Sequence, residues 1–358
     1  MPSLKEIKGR INSISSTLAI TSAMKMVAAA KLQKAQMAIQ NMLPYERRLH
    51  SMLIDLMGAM NISAAASEDG SVRGSGSAER GFDQSGDRLS LSNRHDLEGM
   101  DGAYSLMAQR EVRKVAIVAF ASNSSLCGAF NSNAIREATA VINEYRASGL
   151  GDADITVYSV GRKMAEAMKK LGFPSPADFT KMSDSPSYDA ASALAQELFD
   201  GFVSGRFDKV ELVYNHYKST SSQPTTRQTY LPLSLADATA DIQVGKITDS
   251  ASESDTNRGA EPVGAPVVRQ GSPTTEDLIV EPSKEELIAT LLPKVVRLRV
   301  FTTLLDSTAA EHAARTVAMQ LATDNGNDLL QELTLEYNKG RQQKITSEIL
   351  DIVGGSLQ

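Results

Sequence analysis

Residues 283–353 carry the strongest constraint in this chain, because 71 consecutive positions read as one helix. Pro282-Ser283-Lys284-Glu285-Glu286 opens it: the Ser283 hydroxyl can accept from the Glu286 amide while the Glu286 side chain reaches back, a capping box. Gly354-Gly355 is a normal helix stop. At 1.5 Å per residue the helix is a rod of roughly 107 Å. No globular domain needs that length, so its apolar face must find company.

The N-terminus mirrors this start, since Pro2-Ser3-Leu4-Lys5-Glu6 repeats the capping pattern. A heptad then runs through Leu4, Ile7, Ile11, Ile14, Leu18, Thr21, Lys25, Ala28, Leu32, Ala35, Ile39 and Met42, and resumes at Leu49, Leu53, Leu56 and Met60. Pro44 between the two runs should kink the helix rather than end it. A 3.5-residue repeat of this length specifies a left-handed coiled coil. The C-terminal helix has the same cadence at Leu291, Val295, Leu298, Leu305, Ala309, Met319, Leu330, Leu333 and Tyr337, with Thr302, His312, Thr316, Thr323 and Gly326 between them. Setting Leu4 opposite Tyr337 in an antiparallel pair places Met60 opposite residue 281, so the helices match in length. Beyond Tyr337 the old seam carries Gly340 and Lys344, and a new apolar row begins at Ile345, Ile349 and Ile352. That overhang requires a different partner. Asn325-Gly326 is a turn signal, but the matched lengths favour a continuous helix in which Gly326 lets two helices approach closely.

Between the arms, residues 61–110 lose all periodicity and read as a Ser/Gly-rich surface insertion unable to order itself. Strands are expected at 114–120, 155–160, 209–216 and 225–233, with helices at 131–146, 162–171 and 188–203. This alternation implies a parallel sheet, and Pro224 places the fourth strand at an edge. Residues 236–275 form a second polar loop, with a short strand at 278–280. The fold class is therefore α/β: a long antiparallel coiled coil of N- and C-terminal helices with an inserted Rossmann-like domain. Its segments are 1–60, 61–110, 111–281 and 282–358.

Composition limits the function. A net charge of −6 and a pI near 5.4 exclude a general nucleic-acid binder. The single cysteine, Cys127, has no internal disulfide partner and fits a reducing compartment. The N-terminus is charged too early for a secretory signal. The 21 uncharged residues between Lys114 and Arg136 approach the length of a membrane span. Asn123, Asn131, Asn133 and the interspersed serines rule that span out. The loop after the first strand, Ser122-Asn123-Ser124-Ser125-Leu126-Cys127-Gly128-Ala129-Phe130-Asn131, has one glycine and no P-loop lysine. It reads as a structural turn rather than a nucleotide site. His50, His95, His216 and His312 stand singly, and no cluster has metal-ligand spacing. No active site, cofactor site or metal site is expected. Lys25, on an otherwise apolar seam, either sets register or faces an acidic partner. Lys339, Arg341 and Lys344, with Gln342 and Gln343, form a polar belt where the seam ends. A solvated face and a shaft entering a socket both fit that belt.

Several motifs resemble the gamma subunit, the central stalk, of F-type ATP synthases. Ile20-Thr21-Ser22-Ala23-Met24-Lys25-Met26-Val27-Ala28-Ala29-Ala30-Lys31-Leu32 resembles that family's N-terminal signature. Leu126-Cys127-Gly128-Ala129-Phe130-Asn131 is similar to its loop element. Ala314-Arg315-Thr316-Val317-Ala318-Met319, Ala322-Thr323-Asp324-Asn325, Tyr337-Asn338-Lys339-Gly340-Arg341-Gln342 and Ile345-Thr346 through Ile352-Val353-Gly354-Gly355 resemble its C-terminal helix.

The resemblance implies a non-catalytic rotor shaft that binds no nucleotide. It couples rotation of a membrane c-ring, driven by proton flow, to three alpha and three beta subunits, with epsilon beside the inserted domain. It implies a peripheral subunit on the cytoplasmic face of the bacterial inner membrane. Met24 and Lys25 are then expected near an acidic lever of a beta subunit. Arg341, Gln342, Thr346 and Glu348 are expected to hydrogen-bond to hexamer loops, and Ile349, Ile352 and Val353 to turn in an apolar sleeve. Gly340 departs from the family's usual alanine, and Leu18-Ala19 from its usual basic residue before the Ile-Thr pair. Neither insertion holds a cysteine pair, so thiol regulation is not expected. The alternative is an α/β enzyme with a coiled-coil dimerisation arm.

Overall fold

A computed structural model describes residues 3–59, 106, 110–233 and 283–356. In chain order its elements are α1 (Leu4–Ala59), β1 (Val115–Phe120), α2 (Phe130–Ala147), β2 (Ile155–Val160), α3 (Arg162–Lys170), α4 (Thr180–Asp184), α5 (Tyr188–Val203), β3 (Lys209–Asn215), β4 (Thr225–Leu231) and α6 (Lys284–Ser356). Both long helices begin as the capping pattern requires. The Glu6 amide donates to Ser3 Oγ at 3.3 Å and the Glu286 amide to Ser283 Oγ at 3.1 Å. The Glu6 carboxylate does not complete a box, because it accepts from Arg10 at 3.0 Å instead. α1 continues through Pro44, and α6 through Pro293, Asn325-Gly326 and Gly354-Gly355. The glycine pair is therefore not the stop, since a helix end can absorb two more residues without a packing partner.

The helices pair antiparallel, one seam step away from the expected register. Leu18 lies over Gly326, where an added Cβ would sit 2.6 Å from Leu18 Cδ2, and Leu4 lies over Gly340, where the same test gives 3.2 Å. Thr323 Oγ1 meets Thr21 Oγ1 at 3.1 Å between these contacts, and Thr302 donates to Glu46 at 3.0 Å farther down. Leu4 therefore faces Gly340 rather than Tyr337. A heptad fixes which residues lie on the seam but repeats every few residues, so adjacent steps look alike. The choice falls to shape: two leucines two heptads apart fit two glycines two heptads apart. The overhang consequently begins after Gly340.

The sheet has the order β2-β1-β3-β4. β1 runs parallel to β2 and β3, but β4 is antiparallel to β3, so the expected all-parallel sheet is mixed. The connection from β3 to β4 spans only 216–224, which suffices for a hairpin and not for a crossover. β4 does lie at the edge. Alternation along β1 divides the core. Val115, Ile117 and Ala119 pack with Ala138, Val141, Ile142, Met164 and Met168 of α2 and α3. Ala116, Val118 and Phe120 pack with Leu194, Leu198 and Phe202 of α5, with α6 from Ile288 to Leu304, and with Leu49, Leu53 and Leu56 of α1. The coiled coil thus supplies part of one layer of the sheet domain.

One point corrects the reading of 61–110 as a segment without order: Leu106 is fully buried in that second core, and its carbonyl accepts from the Leu233 amide at 2.9 Å. Arg110 also donates to the Phe202 carbonyl at 3.0 Å. The remainder of that insertion, residues 236–275 and the strand expected at 278–280 lie outside the described residues.

Candidate partner-contact surface

The loop that sequence reading weighed as a nucleotide site is closed by the chain's own long helix. Asn131 Oδ1 accepts from the Ser122 amide and hydroxyl, each at 3.0 Å, and Asn131 Nδ2 reaches Cys127 Sγ at 3.2 Å. This local bonding holds Leu126 and Gly128 at φ 67° and 57°, the left-handed region. Cys127 and Phe130 then pack against Ala310 of α6, and Arg315 donates to Ser124 Oγ at 2.7 Å. The crevice above β1 holds protein side chains. Among the described residues, no group of three or more His, Cys, Asp or Glu is placed to hold a metal ion.

Arg315 also pairs with Glu311 at 2.7 Å. Burial raises the Glu311 carboxyl pKa against the pull of Arg315, and burial followed by Arg315 and Lys31 lowers that of His312 to about 4. These groups sit where the two helices leave the sheet domain. Above that level the seam carries little: Ile7, Ala28 and Met319 are buried, whereas Ile11, Ile14, Leu18, Leu330 and Leu333 are only half-buried.

Met24 is exposed and its neighbour Lys25 is half-buried on the seam. Among the described residues no carboxylate forms an ion pair with Lys25. Arg341, Gln342, Thr346, Glu348, Ile349, Ile352 and Val353 are all exposed on the overhang of α6. Thr346 donates to the Gln342 carbonyl one turn back at 2.9 Å, and Lys344 lies 3.7 Å from Glu348. Ile345, Ile349, Ile352 and Val353 follow helical spacing, so they form one apolar stripe, with Ile352 71% exposed. The structure does not bring the two groups together. Thr323, bonded to Thr21 one turn from Lys25, precedes Arg341 by 18 residues. At 1.5 Å per residue that puts the groups roughly 30 Å apart along the shaft.

A second exposed apolar set was not read from the sequence. Ile20, Met26 and Val27 of α1 and Val317 and Leu321 of α6 lie off the seam and are 41–65% exposed. Their signal was present, since apolar residues at positions the heptad assigns to solvent need another partner. His216 stands alone in the sequence but not in the fold. It pairs with Asp306 at 2.6 Å, from a residue 90 positions away that no local pattern could supply.

A small mixed sheet that docks the base of an intramolecular helical hairpin, whose far end projects uncovered, defines a shaft-type subunit built to work inside a larger assembly. The chain belongs to the ATP synthase gamma chain family. A family model described as ATP synthase matches residues 3–357. The chain is 47% identical over 357 residues to the ATP synthase gamma chain of Phocaeicola vulgatus and 45% identical over 358 residues to that of Bacteroides thetaiotaomicron, in each case covering 100% of both chains. A solved chain of the Euglena gracilis mitochondrial ATP synthase, from an OSCP/F1/c-ring structure in rotational state 3, matches at TM-score 0.52 and 19% identity, over 99% of this chain and 93% of that one. That likeness concerns the fold.

Proposed function

We propose that the chain is the central rotor shaft of a proton-translocating F-type ATP synthase, coupling rotation of a membrane ring to conformational change at the catalytic beta subunits. The observation that carries this is the end of α6, where an exposed apolar stripe continues past Gly340, which lies under Leu4 at the start of α1. An exposed stripe of that kind is costly unless a partner covers it. In this reading the chain is non-catalytic and ATP chemistry belongs to its partners, three alpha and three beta subunits, with epsilon and the c-ring at the sheet domain.

Met24 and Lys25 face an acidic element of a beta subunit; the half-buried ammonium would gain a partner there. Arg341, Gln342, Thr346 and Glu348 hydrogen-bond to the hexamer, and Ile349, Ile352 and Val353 turn inside an apolar sleeve. Segments 1–60 and 282–358 form the shaft and 111–281 the foot. No helix among the described residues is long and apolar enough to cross a membrane. The subunit is peripheral, and we assign it to the cytoplasmic face of the bacterial inner membrane.

Native mass spectrometry of the purified complex is expected to give one copy with three alpha and three beta chains. A homodimer without them would sink the proposal. In the same complex, Arg341→Ala with Gln342→Ala is expected to slow ATP turnover; unchanged turnover would reduce the tip to a passive contact.

A further inference from the structure

The hairpin between β3 and β4 touches both long helices through one residue. Its root is rigid: buried Asn215 donates to the Phe130 carbonyl at 3.0 Å and accepts from Thr225 at 2.7 Å, and the His216 amide donates to the Pro224 carbonyl at 2.9 Å. From that root the half-buried Tyr217 packs against two small apolar clusters. One comprises Leu32 and Ala35 of α1 with Ala309 and Ala313 of α6, and the other Cys127, Phe130 and Ala310, against which Ala314 also packs. The Tyr217 amide donates to Asp306 Oδ1 of α6 at 2.9 Å, and its hydroxyl accepts from Gln36 Nε2 of α1 at 2.7 Å. His216 holds the other oxygen of the same carboxylate at 2.6 Å. A larger side chain at any of the five alanines would crowd the ring.

We infer that Tyr217 is a positioning residue for rotary coupling: by packing across the seam of α1 and α6 and bonding to each, it fixes the angle at which the coiled coil leaves the sheet domain. The inference rests on the rotor reading above. Three features support it. The contact lies where the heavily buried lower coil gives way to the thin upper coil. It joins elements far apart in sequence through both ring and polar atoms. It springs from a strand hairpin bonded into the foot rather than from a loose loop. Torque applied to the foot would then reach both helices at one level. Without that tie, α1 could roll against α6 about a seam whose residues above this level are mostly only half-buried.

The test uses the assembled complex in inverted membrane vesicles, with ATP hydrolysis, ATP-driven proton pumping and amide exchange measured on the same preparations. Tyr217→Ala is expected to raise exchange across 28–39 and 306–316 by roughly tenfold and to lower protons pumped per ATP. Tyr217→Phe keeps the ring and loses the tie to Gln36, so its pumping ratio should fall between those of Ala and wild type. Gln36→Leu removes the same tie and should match Phe, and the double variant should be no worse than either single one. Unchanged exchange and pumping in Tyr217→Ala would overturn the inference, as would additive effects of Tyr217→Phe and Gln36→Leu. If Tyr217→Ala fails to assemble, the Phe and Leu variants decide alone. Failure of the wild-type chain to copurify with alpha and beta subunits would remove the rotor reading instead.

Discussion

Below the Tyr217 hairpin and above it, the same heptad does different work. In the lower half Leu49, Leu53 and Leu56 face Ile288, Leu291, Leu292 and Val295 in a core shared with the sheet, and every one of them is buried. In the upper half Leu18 fits over Gly326, Thr21 meets Thr323, and most seam residues stay half-exposed. The lower half is stabilised from three sides by apolar burial at about 25 cal/mol per Å². Among the described residues the upper half rests mainly on its partner helix. The difference separates a part that holds the molecule together from a part left available to others, although both read alike as coiled coil.

The largest test of that contrast is Leu292→Ala, at a fully buried position. It should cost about 2–5 kcal/mol as a core truncation, whereas Leu330→Ala in the upper half should cost well under half of that in the same thermal melts. Comparable losses would dissolve the distinction.

Acid comes next. His50, buried in the lower half beside Arg299, is lowered to about 4, first by burial and then by that charge. Its folded pKa lies below the unfolded value of 6.5, so the unfolded chain binds the extra proton between those limits. The stability is complete above pH 6.5 and lost as pH falls toward 4, by up to roughly 3 kcal/mol from a shift of this size. His312 has the same sign, with a smaller effect because it is more exposed. His216 has the opposite sign, because the hydrogen bond it donates to Asp306 raises its pKa. The protonated ring donates to the Asp306 carboxylate, so its contribution is full below 6.5 and lost as pH rises through the folded value. Denaturant melts of His50→Asn between pH 7 and 4 should lose most of the wild-type slope; an unaltered slope would place the titration elsewhere.

Gly326→Val tests the upper seam itself. Its branched side chain must displace Leu18, an overpacking cost of about 1–3 kcal/mol, and adding Leu18→Ala should recover much of it. Without that recovery, the glycine would not be the notch that sets register.

The smallest effect on stability is expected at the tip. Ile349→Ser with Ile352→Ser should leave the melting of the isolated chain within about 0.5 kcal/mol, because both residues are exposed. Copurification with alpha and beta subunits should nevertheless fall. A large stability loss in the isolated chain would mean that the tip packs on this chain rather than on a partner.

Much of this was legible in the residues. Capping serines, a sustained heptad and alternating strands are local patterns, and each led to the element it implies. The failure of the cadence after Tyr337 marked where the overhang lies, whereas the roles given to Arg341, Gln342, Thr346, Glu348, Ile349, Ile352 and Val353 came from the family resemblance. The direction of β4 was missed because strand patterning does not encode polarity. The Tyr217 and His216 contacts were missed because their partners, Gln36 and Asp306, lie on helices whose own patterns mark those positions only as polar.

The sequence by itself determined that two long helices must pair, that a sheet domain sits between them, and that the shared cadence breaks before the last turns of α6. Only the tertiary structure decided the register, the mixed sheet and the level at which the coil becomes thin. Periodicity states which face is apolar. Which glycine receives which leucine, and which alanines admit a tyrosine, depends on shapes that meet only after the chain has folded.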